Sequence, residues 1–186
     1  MEDQLKQITD RITSAYMIYR VWRIYTEPDD RAKYLKVLQR YNTFFLTSRH
    51  AHFLATIVAL YGLYETRRES ISLSRLVKDT RDDKLRRELE PMLDEAKSIW
   101  RKVAIVRNNI YAHLLDSNSQ AIFSGAALSP NEIERLIELS KQLVNKLSYA
   151  HDHSTHAFNL NAAPDTYNLL DVLLRNGSQT RLHQRS

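Results

Sequence analysis

Apolar residues return at three- and four-residue steps along almost the whole chain, and no stretch alternates convincingly with period two. Leu5, Ile8, Ile12, Ala15, Tyr19 and Trp22 form one stripe of a first helix. Pro28 with Asp29 and Asp30 ends it and caps the next, where Tyr34, Val37, Tyr41 and Phe44 continue the stripe. Phe53, Ile57, Leu60 and Tyr64 then resume it, so residues 30–65 read as one long helix or as two with a kink near Ser48. A polar break, TRRESIS (66–72), precedes a short helix around 72–79. Thr80 with Asp83 caps another start, and Pro91 fits the first turn of a fresh helix from about 91 to 115.

The segment DSNSQAIFSG (116–125) has turn chemistry at both ends. SPNE (129–132) is a strong helix start: Ser129 caps, Pro130 takes the first helical position, and Glu132 reaches back as in a capping box. Ile133, Leu136, Ile137, Leu143, Val144 and Leu147 carry that helix to about residue 152. PDTYNLLDVLLRNG (164–177) predicts one more short amphipathic helix, stopped by Gly177, and the last nine residues read as disorder. The pattern predicts an all-α, up-and-down helical bundle over 1–156 with extra short helices, followed by a C-terminal extension over 157–186.

One stretch conflicts with its own pattern. In AIVRNNIYAHLLDSNS (104–119), a helix at about 100° per residue puts Met92, Ala96, Ile99, Trp100, Val103, Val106, Ile110, Tyr111 and Leu114 on one face, and Arg107 falls well inside it. His113 sits at the edge of that face, while Asn108 and Asn109 lie on the polar side. A permanent guanidinium on a packing face is costly unless it is paired or faces a wet cleft. The residues alone leave both solutions open: a buried ion pair with a neighbouring acid, or a functional groove.

Composition changes this picture only a little. The 186 residues carry a formal charge of +5, which leans mildly towards polyanionic partners and equally suits ordinary solubility. Cysteine is absent, which excludes disulfides and thiolate chemistry and fits a reducing cytoplasm. No run approaches the length of a transmembrane helix, and MEDQLKQITD lacks the apolar core of a signal peptide, so a cytoplasmic protein is expected. In HDHSTH, Asp152 and His156 are the only pair four residues apart, and no second cluster completes a tetrahedral set, so no metal is expected. Arg49 in SRHAH reads as part of a solvated helix start, with a lesser role in lining an RNA groove. The ETRR and RDDKLRR clusters read as solvated faces. No glycine-rich phosphate loop, nucleophile elbow or HExxH occurs.

The heptapeptide RNNIYAH (107–113) resembles the signature of HEPN domains: an Arg followed by a polar residue, then a His after a short gap, on one helix of a small bundle. Its AH ending, together with FFLTSRHAHFLATIVALYGLYE (44–65), SISLSRLV (70–77) and LSPNEIERLIEL (128–139), is similar to the AbiU-type abortive-infection branch. The likeness covers most of residues 10–150. It implies a HEPN-type bundle, a homodimer whose motif helices meet across a cleft, and a metal-independent endoribonuclease of phage defence or toxin–antitoxin type, without cofactor. In that scheme His113 accepts the proton of a ribose 2′-OH and Arg107 holds the scissile phosphate. Asn108, Asn109 and Tyr111 support them, with Asn109 four residues before His113 and Tyr111 near Arg107. The implied partners are RNA and a cognate antitoxin protein. The alternative is a HEPN module that binds RNA, nucleotide or a protein without cleaving.

Overall fold

The computed structural model describes residues 1–65, 67, 70–112 and 128–179, with the side chains of 110–112 and 177–179 outside that description. These residues form seven helices: α1 (Glu2–Thr26), α2 (Pro28–Arg40), α3 (Asn42–Leu63), α4 (Leu73–Lys78), α5 (Asp83–Ala112), α6 (Pro130–Asp152) and α7 (Ala163–Gln179). The fold is all-α, as the periodicity predicts. It divides into two compact units, one of residues 1–15 with 57–159, the other of 16–56 with 160–186.

The first unit is built around α5 and α6. Leu89, Leu93, Ala96, Ile99, Val103 and Val106 of α5 are buried, as are Ile133, Leu136, Ile137, Leu143, Val144 and Leu147 of α6. Leu5, Ile8 and Ile12 of α1 and Leu73, Leu76 and Val77 of α4 are buried in the same unit. Three ion pairs tie α5 to α6 along their rim: Glu88 with Lys146, Glu95 with Arg135 (2.7 Å) and Lys102 with Glu132 (2.5 Å). The partners ascend along α5 as they descend along α6, so the two helices run antiparallel. Inside, the buried Tyr64 hydroxyl and Ser140 Oγ share a hydrogen bond of 2.8 Å, and Ser140 Oγ also donates to the Leu136 carbonyl. Burial pushes the Tyr64 phenol far up, so it stays neutral.

The capping box of α6 forms as its sequence requires. Ser129 Oγ accepts from the Glu132 amide (3.2 Å), and Glu132 Oε2 accepts from the Ser129 amide (2.8 Å). The other helix starts correct the sequence reading. The Asp82 carboxylate, not Thr80 or Asp83, accepts from the amides of Lys84 (2.8 Å) and Leu85 (3.1 Å) at the head of α5. Thr80 Oγ1 instead donates back to the Leu76 carbonyl. Pro91 opens no new helix and lies inside α5. The lost amide there is tolerated because Leu89 and Leu93, on either side, are both buried and hold the backbone to the core. At the start of α2, Pro28 sits in the first turn, but Glu27 occupies the cap without a side-chain bond, and Asp29 and Asp30 lie in the first turn, where the helix dipole favours them.

The second unit has its own core of Ile24, Tyr25, Tyr34, Val37, Phe45, Ala163 and Leu170. The break in residues 30–65 falls at Tyr41, not at Ser48. It shifts the phase of the apolar stripe: Phe45 is buried (4% exposed), whereas Tyr41 (41%) and Phe44 (61%) face outward, against the sequence pattern. The helix predicted at 164–177 spans 163–179 and passes through Gly177 without stopping. It shares its core with α2 and is bound to it by a reciprocal pair: Tyr34 donates to Asp171 and Tyr167 donates to Asp30, both at 2.8 Å. The loop at 116–125, His113 and residues 180–186 lie outside the described residues.

Candidate functional site

Arg107 lies in the last turns of α5, half-buried, in the first unit. Its guanidinium carbon is 4.7 Å from the centroid of the Tyr61 ring, a cation–π contact with the last turn of α3. Nη1 donates to Asn108 Oδ1 at 3.1 Å, and Asn108 is exposed. The packing-face arginine thus lies over an aromatic ring and gives an N–H to a neighbouring amide. Beside it, Tyr61 stacks on Trp100 with centroids 5.6 Å apart and planes inclined by 27°. Trp100 Nε1 donates to the Tyr61 carbonyl at 3.1 Å. Among the described residues, nothing lies within 4 Å of a Cβ added to Gly62.

The other sequence-predicted site residues separate. Asn109 is half-buried on α5, and the side chain of Tyr111 and all of His113 lie outside the described residues. Arg49 belongs to the second unit, in the middle of α3 and not at a solvated helix start. There it lines a cavity of about 260 Å³ with Arg31, Asn42 and Leu46. The first unit has a larger cavity of about 880 Å³ between the 65–72 segment, α4 and α5, lined by cations and acids together. Arg75 pairs with Asp79 (3.5 Å) and Arg86 with Asp83 (2.5 Å), so these clusters are internally compensated.

The HDHSTH run caps and straps α6. His153 ends the helix in the left-handed region at φ 62°, so Asp152 and His156 are not one helical pair. Asp152 Oδ1 accepts from the Ser154 amide at 2.9 Å. The Asn145 side chain donates to the His156 carbonyl (3.1 Å) and accepts from its amide (2.7 Å), pinning the chain after α6. Among the described residues no group of three or more His, Asp or Glu side chains could hold a metal ion, and no helix is long and apolar enough to cross a membrane.

The longest of the described helices thus carries Arg107 and Asn108 beside the Tyr61–Trp100 pair of an all-helical fold. The chain belongs to the AbiU2 family of HEPN domains, whose family model matches residues 2–169. No curated protein and no solved structure matches it. The match spans all of the motif RNNIYAH. Sequence reasoning missed Tyr61 as the partner of Arg107. Trp100, one heptad before Arg107, was the available signal, but nothing local marks which aromatic of α3 inserts beside it.

Proposed function

We propose that this protein is a metal-independent endoribonuclease of the abortive-infection or toxin–antitoxin kind, acting in the cytoplasm as a homodimer that pairs two copies of the Arg107–His113 motif in one groove. The observation that carries the reading is the state of Arg107: on the motif helix, half-exposed, over the Tyr61 ring and bonded to Asn108. A cation–π contact takes up no N–H donor, one N–H goes to Asn108, and the planar fork of a guanidinium matches two oxygens of a phosphate.

In this scheme His113 takes the proton of a ribose 2′-OH, the 2′-oxygen attacks the adjacent phosphorus, and the P–O5′ bond breaks. The products are a 2′,3′-cyclic phosphate and a 5′-hydroxyl, whose oxygen takes up a proton from solvent. Arg107 stabilises the charge that grows on the phosphate oxygens. Asn109 and Tyr111 serve as supporting residues of the motif, and a cognate antitoxin is the partner expected to restrain activity.

The test is a gel with matched ribo- and single-deoxy oligonucleotides, with and without EDTA. Cutting of the ribose substrate in EDTA, loss of cutting at the deoxy position, and loss with Arg107→Lys or His113→Ala are expected. Equal cutting of the deoxy substrate, or cutting only with added metal, removes the mechanism. Binding without cutting leaves a non-catalytic RNA-binding module. A monomer by light scattering at about ten micromolar, a concentration that samples micromolar affinity, removes the paired groove.

A further inference from the structure

Trp100 and Arg107 stand one heptad apart on α5, a rise of about 10.5 Å. The Tyr61 ring lies 5.6 Å from the indole and 4.7 Å from the guanidinium carbon. The phenol ring of Tyr61 therefore touches both side chains. The indole is itself fixed, because its Nε1 donates to the Tyr61 carbonyl in the last turn of α3. Tyr61 and Trp100 make one stack from two helices, and the motif arginine lies over its tyrosine.

We propose that Tyr61 is a positioning residue for Arg107, backed by Trp100, and that this stack sets the plane in which the guanidinium meets the scissile phosphate of RNA. The inference rests on the ribonuclease reading above. An arginine carries many rotamers, and a bidentate contact with phosphate requires one of them with its plane aligned. A ring under the guanidinium selects that plane, and the Asn108 side-chain Oδ1 fixes its rotation by accepting from Nη1–H. The effect of Tyr61 on RNA passes through Arg107.

The experiment compares the wild type with Tyr61→Phe, Tyr61→Leu, Arg107→Lys and the double variant Tyr61→Leu/Arg107→Lys. Two readouts are used: cleavage of a labelled RNA oligonucleotide in EDTA, and ¹⁵N relaxation of the Arg107 Nε–H group. Phenylalanine keeps the ring, so Tyr61→Phe should cut within about twofold of wild type, and Tyr61→Leu should lose about tenfold in kcat/KM as the cation–π contact goes. Arg107 Nε–H should become mobile in the leucine variant only. The double variant should be no worse than Arg107→Lys alone, since Tyr61 acts through the arginine. If Tyr61→Leu does not fold, Tyr61→Met serves in its place. An Arg107 side chain equally ordered without the ring overturns the proposal, as does a leucine penalty of the same size on the Arg107→Lys background. If wild type neither cuts nor binds RNA, the ribonuclease reading falls and takes the phosphate role with it. That outcome is recognised because Arg107 ordering still responds to Tyr61.

Discussion

Two helix pairs in this protein are tied by polar contacts of opposite character. The α5–α6 pair is closed by ion pairs in which Glu95 and Arg135 are each roughly half-exposed, over an aliphatic core that holds the helices without them. The α2–α7 pair is closed by tyrosine hydroxyls on carboxylates, and its tyrosines are themselves core: Tyr34 is fully buried and its ring lies 6.3 Å from that of Tyr167. In the first pair the polar groups sit on top of the packing. In the second they are the far ends of side chains that do the packing, so removing one removes both kinds of contact.

The largest effect should come from Tyr34→Ala, which deletes a buried aromatic from the smaller core and costs about 3–5 kcal/mol. Urea denaturation read by tyrosine and tryptophan fluorescence measures it, and a cost near that of a surface substitution would erase the contrast between the pairs. The pH response should be intermediate. Burial, then the hydrogen bond to Asp30, pushes the Tyr167 phenol up to about 12. A raised value stabilises the fold fully below about pH 10, and that contribution is lost as pH rises through the raised value. The Tyr34 hydroxyl holds the Asp171 carboxyl below its ordinary range, so its contribution is present above about pH 4 and lost in stronger acid. Thermal midpoints across pH should therefore fall at both extremes, and Tyr167→Phe should blunt the alkaline fall alone. The smallest effect should be that of Arg135→Ala. It removes an exposed ion pair, so the midpoint should shift slightly at low salt and not at all at high salt. A large salt-independent loss would show that the ion pairs hold the first helix pair after all.

Much of the fold was legible because amphipathic helices write their buried face into the sequence. Leu5, Ile8, Ile12, Ala15, Tyr19 and Trp22 are all buried, and Ser129 and Glu132 make the capping box their spacing announces. Legibility failed where the signal is not periodic. α3 carries apolar residues on most of its circumference, so its phase, and with it the choice between Phe44 and Phe45, was set by the break at Tyr41. Pro91 and Gly177 carry strong local preferences against continuing a helix, and in both places the helix continues. Arg107 was legible as an anomaly on its helix. Its resolution by Tyr61 was not, since that contact joins residues far apart in sequence and depends on tertiary packing alone.

The rim of α5 and α6 also works as a vernier. An apolar stripe repeating about every seven residues nearly matches itself after a seven-residue slide, so the core alone discriminates poorly between registers. Glu88, Glu95 and Lys102 are spaced by seven and meet Lys146, Arg135 and Glu132. Slide α5 one way and Lys102 arrives opposite Arg135; slide it the other way and Glu95 arrives opposite Glu132. Each error replaces three attractive pairs by one attractive and one repulsive pair. Of these three registers only the native one makes all three pairs, and the end of α5 that carries Arg107 inherits its place from that choice.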